Sequence, residues 1–196
     1  MISVYACLYK KGETMVKIAW GITGCGDKIK EIVHMMIDLK NKYNLDIDVY
    51  ASKNAKVVLK WYKLWNLIID EFYEIRLEVD ANAPFLPGKL QTGKYDMFIV
   101  APTTANTVAK VAHCIADTLI TNSIAQGVKA RVPTYIYPPD NKIGEIETII
   151  PSGKTLKLYI RKEDVENVNK LRKMEGITIL DSVDEIKETI LKYVDK

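Results

Sequence analysis

Histidine is almost missing from this chain and cysteine is scarce: two and three residues in 196. The cysteines, Cys7, Cys25 and Cys114, form no CxxC pair. An iron–sulfur cluster usually takes four thiolates, so one chain alone cannot hold one here. No metal site is expected. No apolar run approaches the roughly 20 residues that a membrane-spanning helix needs. Met1 to Leu8 is too short for the apolar core of a secretion signal, and Lys10 and Lys11 interrupt it. Without that signal, reduced thiols and a cytoplasmic location are the expectation. Neither charge dominates, with 28 Lys and Arg against 25 Asp and Glu and a net charge of +3. No Arg/Lys cluster marks a nucleic-acid groove. Repeats and low-complexity segments are also absent. These gaps argue against a membrane protein, a nucleic-acid binder and a self-contained iron–sulfur protein.

What remains is the composition of a globular protein: 48% hydrophobic and 27% charged residues. The length suits one domain with a real core. Residues 1–14 read as an N-terminal extension or a mis-assigned start. A recognisable strand begins only after Met15-Val16, and the codons for Lys11-Gly12-Glu13 would be purine-rich, like a ribosome-binding site. Residues 15–196 then form the single domain.

Along that domain strands alternate with helices. Lys17 to Trp20 reads as a buried strand. Asp27 to Tyr43 reads as a helix, with Ile29, Ile32, Val33, Met36, Ile37 and Leu39 at helical spacing. Asp46 to Ala51 is a second strand and Lys56 to Phe72 an aromatic-rich helix. Asn82 to Gly93 reads as a Pro- and Gly-rich loop. Tyr95 to Pro102 carries the strongest strand, Met97-Phe98-Ile99-Val100. Asn106 to Ala125 reads as one or two helices, and Val132 to Tyr137 as a strand. Thr155 to Ile160 and Ile177 to Leu180 follow as strands, Glu163 to Met174 and Val183 to Val194 as helices. Such alternation predicts an α/β fold: a three-layer, Rossmann-like (flavodoxin-like) parallel sheet with helices on both faces. Ligands of such sheets bind beyond the carboxyl ends of the strands, where strand order reverses.

Three strand ends stand out. The first is Gly21-Ile22-Thr23-Gly24-Cys25-Gly26. Its spacing is GxxGxG, not the dinucleotide GxGxxG, and Asp27-Lys28 replaces the Lys-Ser/Thr of a Walker A loop. It reads either as an anion-binding loop at a helix N-terminus or as a tight strand–helix turn. The second is Ala51-Ser52-Lys53-Asn54. Its hydroxyl, ammonium and amide suit a phosphate, and Ser52 or Asn54 equally suits a helix N-cap. The third is Ala101-Pro102-Thr103-Thr104-Ala105-Asn106-Thr107. This dense set of neutral donors and acceptors can bond a flavin edge or ribityl chain; a simple N-cap would need only one of them.

Taken together, these stretches resemble the homo-oligomeric flavin-containing cysteine decarboxylase family, which includes phosphopantothenoylcysteine decarboxylase, peptidyl-cysteine decarboxylases and flavin prenyltransferases. The family's Pro-Ala-Ser-Ala-Asn-Thr hallmark is matched by Pro102-Thr103-Thr104-Ala105-Asn106-Thr107. Within the family, "WGITGCGD", "NAPFLPGKLQTGKYD" and "APTTANTVAKVAHCIADTLITN" look like the archaeoflavoproteins and dihydromethanopterin reductases. The resemblance implies bound FMN and a role in electron transfer or flavin-dependent reduction. It further implies a homo-oligomer, a trimer or an assembly of trimers, with a ferredoxin or iron–sulfur flavoprotein as redox partner. Phosphate contacts are implied for Gly21, Thr23, Gly24 and Ser52, and ribityl or ring contacts for Thr103, Thr104, Asn106 and Thr107. Ile22, Lys53, Asn54 and Pro102 are implied as further cofactor-binding residues. Asp117 matches a recurring family position.

The departures from the pattern matter as well. The decarboxylases place a histidine before the hallmark, and none lies between Ile69 and Pro102 here. Their Pro-x-Met-Asn clamp is replaced by Tyr137-Pro138-Pro139-Asp140-Asn141. Decarboxylation or prenyl transfer is therefore the alternative reading, and a non-catalytic nucleotide-binding module is the third. Cys25, at a helix N-terminus, reads as a small residue beside glycine or as a favoured thiolate. His34 reads as structural, and His113 as a helix-face or interface residue with a catalytic role as the alternative. Trp61, Tyr62, Trp65, Phe72 and Tyr73 read as core, or as a cover for a neighbouring subunit's flavin. Lys28, Lys30, Lys40 and Lys42 read as solvated helix surface, or as steering for an acidic ferredoxin.

Overall fold

A computed structural model describes residues 15–195; the N-terminal extension expected at residues 1–14 lies outside them. The elements are β1 (Val16–Ile22), α1 (Ile29–Lys42), β2 (Leu45–Ala51), α2 (Lys53–Trp61), α3 (Trp65–Phe72), β3 (Ile75–Leu77), α4 (Leu86–Gln91) and β4 (Met97–Val100). They continue with α5 (Ala105–Ala112), α6 (Leu119–Lys129), β5 (Thr134–Ile136), β6 (Gly144–Ile149), β7 (Thr155–Ile160), α7 (Lys162–Leu171), β8 (Ile177–Ile179) and α8 (Val183–Val194). Six strands form one sheet in the order β3-β2-β1-β4-β5-β8. Every pairing within it is parallel.

Side chains alternate across a strand, so each strand feeds two cores. Ile18, Trp20 and Ile22 of β1, with Met97 and Ile99 of β4, face α1, α2, α3 and α8. Ala19, Phe98 and Val100 face α4, α5, α6 and α7. A sheet covered on both faces needs apolar residues at consecutive positions, which is why these strands read as unbroken hydrophobic runs. Gly21 serves the second core: a Cβ there would lie 3.0 Å from Ile120 Cδ1 and 3.1 Å from the Phe98 ring. Its missing side chain lets α6 sit close to the sheet.

Some expectations differ from the observed elements. The helix expected over Lys56 to Phe72 is two helices. Lys63 takes a left-handed conformation (φ 60°), and the Leu64 N–H bonds Leu59 O at 2.8 Å. That break lets Leu59, Leu64 and Ile68 all reach the core. The Pro- and Gly-rich loop over Asn82 to Gly93 contains α4. Its proline sits in the first turn and Gly93 follows the end with φ 70°; both are positions a helix tolerates. The strand at Thr155 to Ile160 exists, but it pairs antiparallel with β6 in a separate hairpin. β3 and β6 were not anticipated.

On the α4 side, one polar chain crosses the core. Lys89 Nζ donates to the Tyr50 hydroxyl at 3.1 Å, Tyr50 meets the Tyr95 hydroxyl at 2.7 Å, and Tyr95 donates to Asp48. Lys94 Nζ reaches the same carboxylate at 2.8 Å, and Arg76 pairs with it. Burial opposes ionisation of Asp48, but the hydrogen bonds from Lys94, Tyr95 and Arg76 outweigh it and hold its pKa at about 2. A carboxylate depressed in the folded state stabilises above its unfolded pKa, and that contribution fades as pH falls toward the folded value. Stability should therefore drop by about 1–2 kcal/mol through this one group between about pH 5 and pH 2. Urea unfolding across that range, compared with Asp48→Asn, measures it. An Asp48→Asn profile as steep as the wild type would refute the assignment.

Candidate functional site

β3-β2-β1 runs one way from the centre of the sheet and β4-β5-β8 the other, so strand order reverses between β1 and β4. The crevice beyond their carboxyl ends is where a ligand is favoured. Two threonines, Thr23 and Thr103, tie three strand ends together at its floor. Thr23 is 2% exposed; its N–H and its hydroxyl donate to Pro102 O at 3.3 and 2.9 Å. The same hydroxyl accepts from the Thr104 N–H at 2.8 Å. Thr103 is fully buried. It donates its hydroxyl to Val100 O at 2.7 Å and its N–H to Tyr137 O at 2.8 Å. Thr23 and Thr103 thus weld β1, β4 and β5 together, and their hydroxyls are engaged within the protein. Pro102 is buried and follows a cis peptide. Gly21 and Ile22 lie inside β1, and Ile22 O accepts from the Ser52 N–H at 3.0 Å.

The outward-facing groups are different ones. Ser52 caps α2, accepting from the Ala55 N–H at 3.1 Å, and its own hydroxyl proton has no recorded acceptor among the described residues. Lys53 and Asn54 are exposed. Gly24 lies against Asn54: a Cβ on Gly24 would sit 2.8 Å from Asn54 Cβ. Only a glycine lets the β1 loop approach the start of α2 so closely. On the next turn Thr104 caps α5, accepting from the Thr107 N–H at 3.2 Å and bonding the Thr107 hydroxyl at 3.0 Å. Asn106 is exposed on the first turn of α5, and no described residue bonds its side chain. Gly24, Ser52 and Asn54 therefore make one donor group, and Thr104, Asn106 and Thr107 another. Asp117 sits before α6, paired with Lys110 at 2.8 Å, which lowers its pKa. No hydrogen bond joins it to either turn.

The surroundings of Cys25 disfavour a thiolate. Burial pushes its pKa up to about 12, with Asp140 and Asp27 adding to the rise and the bond to the Asp27 carbonyl opposing it. Loss of solvent outweighs the helix N-terminus, so the thiol stays protonated at neutral pH. His113 caps the end of α5 and lies exposed beside Lys170 Nζ at 3.3 Å. Phe72 packs edge-on to Trp20 in the core, whereas Trp61 and Tyr73 face outward. Burial raises the Asp140 carboxyl, with Asp164 and Asp27 adding to it and Arg161 opposing. Sequence reasoning passed over Glu78. It is a buried carboxylate just after β3, and finding it would have required recognising that three-residue strand. Among the described residues no cluster of His, Cys, Asp or Glu suits a metal ion, and no helix is long and apolar enough to cross a membrane.

Comparison with known proteins bears on this crevice. The family model described as Flavoprotein matches residues 8–195. An uncharacterized protein of Methanocaldococcus jannaschii is 66% identical over 181 residues, covering 92% of this chain and 97% of its own. Dihydromethanopterin reductase (acceptor) of the same organism is 30% identical over 241 residues, covering 92% of this chain and 97% of its own. The crystal structure of Burkholderia xenovorans DmrB in complex with FMN, a cubic protein cage for redox transfer, superposes with a TM-score of 0.79. That protein is 28% identical, over 92% of this chain and 96% of the other. FMN-dependent cysteine decarboxylases share the fold at lower identity.

Proposed function

We propose, from the premise that this chain belongs to the Flavoprotein family, that it binds FMN and acts in electron transfer or flavin-dependent reduction. Electrons would come from a ferredoxin or another iron–sulfur protein, and the working form would be a homo-oligomer, a trimer or an assembly of trimers. The observation that carries this reading is the pair of donor groups at the strand-order reversal. Gly24, Ser52 and Asn54 offer a hydroxyl, an amide and a close-approaching backbone at the start of α2, which suits a phosphate. Thr104, Asn106 and Thr107 offer neutral hydrogen-bonding groups at the start of α5, which suits a ribityl chain or a flavin edge. The donor set fits the cofactor.

Bound FMN supplies one- and two-electron chemistry by itself. The protein binds it, orients it and keeps the crevice rigid through the Thr23 and Thr103 welds. The reading against cysteine decarboxylation rests on two positions. No histidine lies between Ile69 and Pro102, and Tyr137-Pro138-Pro139-Asp140-Asn141 stands where the clamp would be. Purified protein loaded with FMN, mixed anaerobically with reduced ferredoxin, is expected to lose its oxidised-flavin absorbance. If no low-potential iron–sulfur donor reduces it, the electron-transfer reading fails.

A further inference from the structure

Glu78 joins two helices that belong to opposite sides of the sheet. Its N–H bonds Ala51 O at 2.9 Å, and the residue is only 8% exposed, uncommon for a glutamate. Oε2 accepts from the Lys53 N–H at 3.1 Å, and Oε1 accepts from the Leu119 N–H at 3.0 Å. Lys53 is the first residue of α2 and Leu119 the first of α6. α2 packs on the Trp20 core and α6 on the Phe98 core. Helix N-termini attract anions; here the protein supplies its own.

We propose that Glu78 is a positioning residue for the cofactor site: it fills the anion niche between α2 and α6 and so fixes the Ser52–Asn54 turn for a nucleotide phosphate. This rests on the FMN reading above. With the Lys53 amide taken, a phosphate on this turn is directed to the Ser52 hydroxyl and the Asn54 amide, beside Gly24. The carboxylate touches no ligand in this arrangement; it acts through the turn that does.

Titration of the full chain with FMN tests the assignment. Glu78→Ala should keep wild-type circular dichroism yet raise the Kd for FMN at least about tenfold. Acetate should refill the vacated niche and recover part of that loss, whereas chloride at equal ionic strength should not. Should the alanine variant not fold, Glu78→Gln keeps the size and one acceptor oxygen, and its Kd should rise about threefold to tenfold. Wild-type affinity in either variant, or a weakening in Glu78→Ala that acetate leaves untouched, overturns the role of Glu78 alone. A wild-type chain that binds no FMN overturns the cofactor reading with it.

Discussion

Changing Ser52 and Asn106 together to alanine is expected to leave a folded, colourless protein. Asn106 is exposed and its side chain bonds no described residue, so its loss should cost the fold almost nothing. Ser52 caps α2 through the Ala55 N–H, and losing that cap costs about 1 kcal/mol. The larger losses fall on the ligand side. A hydroxyl donating to a phosphate makes a charge-assisted bond worth about 1.5–3 kcal/mol, and a neutral amide bond adds about 0.5–1.5 kcal/mol. Together they predict FMN binding weakened about 30-fold to 2,000-fold. Wild-type and variant chains, each mixed with FMN and stripped of free flavin, should differ in their visible spectra, with far-ultraviolet circular dichroism as the control for folding. Full flavin bands in the folded double variant would place the cofactor elsewhere. The paired Thr23 and Thr103 hydroxyls are poor targets for this test, because removing them would break the floor rather than the ligand contacts.

The second large effect belongs to Trp20. It is fully buried in the centre of β1, edge-on to Phe72 with ring centroids 5.6 Å apart. Its indole N–H donates to Ala101 O at 2.8 Å, one residue before Pro102. Trp20→Ala removes the largest side chain of that core and leaves a cavity, which costs about 3–5 kcal/mol. It also orphans the Ala101 carbonyl, adding about 1 kcal/mol or more. That is a large share of the roughly 5–15 kcal/mol that holds a domain folded. Trp20→Phe keeps most of the packing and loses the bond, so it should cost about 1–3 kcal/mol. Urea midpoints at one fixed protein concentration separate the three proteins, since assembly would shift them with concentration. Equal midpoints for Trp20→Ala and wild type would contradict the burial and the bond alike.

Legibility in the sequence followed the range of the interaction. α1 and α8 were readable because their apolar spacing is local, and β1 and β4 because strands covered on both faces must be continuously apolar. The Gly24 loop, the Ser52 tip and the Thr104 to Thr107 turn were readable as strand-end chemistry. The division of labour within them was not. Thr23 and Thr104 look alike as letters, yet one hydroxyl welds strand ends and the other caps a helix. Gly21 and Gly24 both looked like phosphate-loop glycines. One makes room for Ile120 and the other lies against Asn54. Each role depends on residues far along the chain, about which the local pattern carries no information.

By itself the sequence determined the alternation of strands and helices, the two-faced burial of the central strands and the three turns rich in glycine, hydroxyl and amide groups. These are properties of short windows, in which periodicity and side-chain chemistry act without reference to the rest of the chain. Only the tertiary structure decided that Thr155 to Ile160 leaves the main sheet, that desolvation raises the Cys25 thiol, and that Glu78 clamps α2 to α6. Pairing, desolvation and capping across helices depend on which distant segments meet, and that is settled by how the whole core packs.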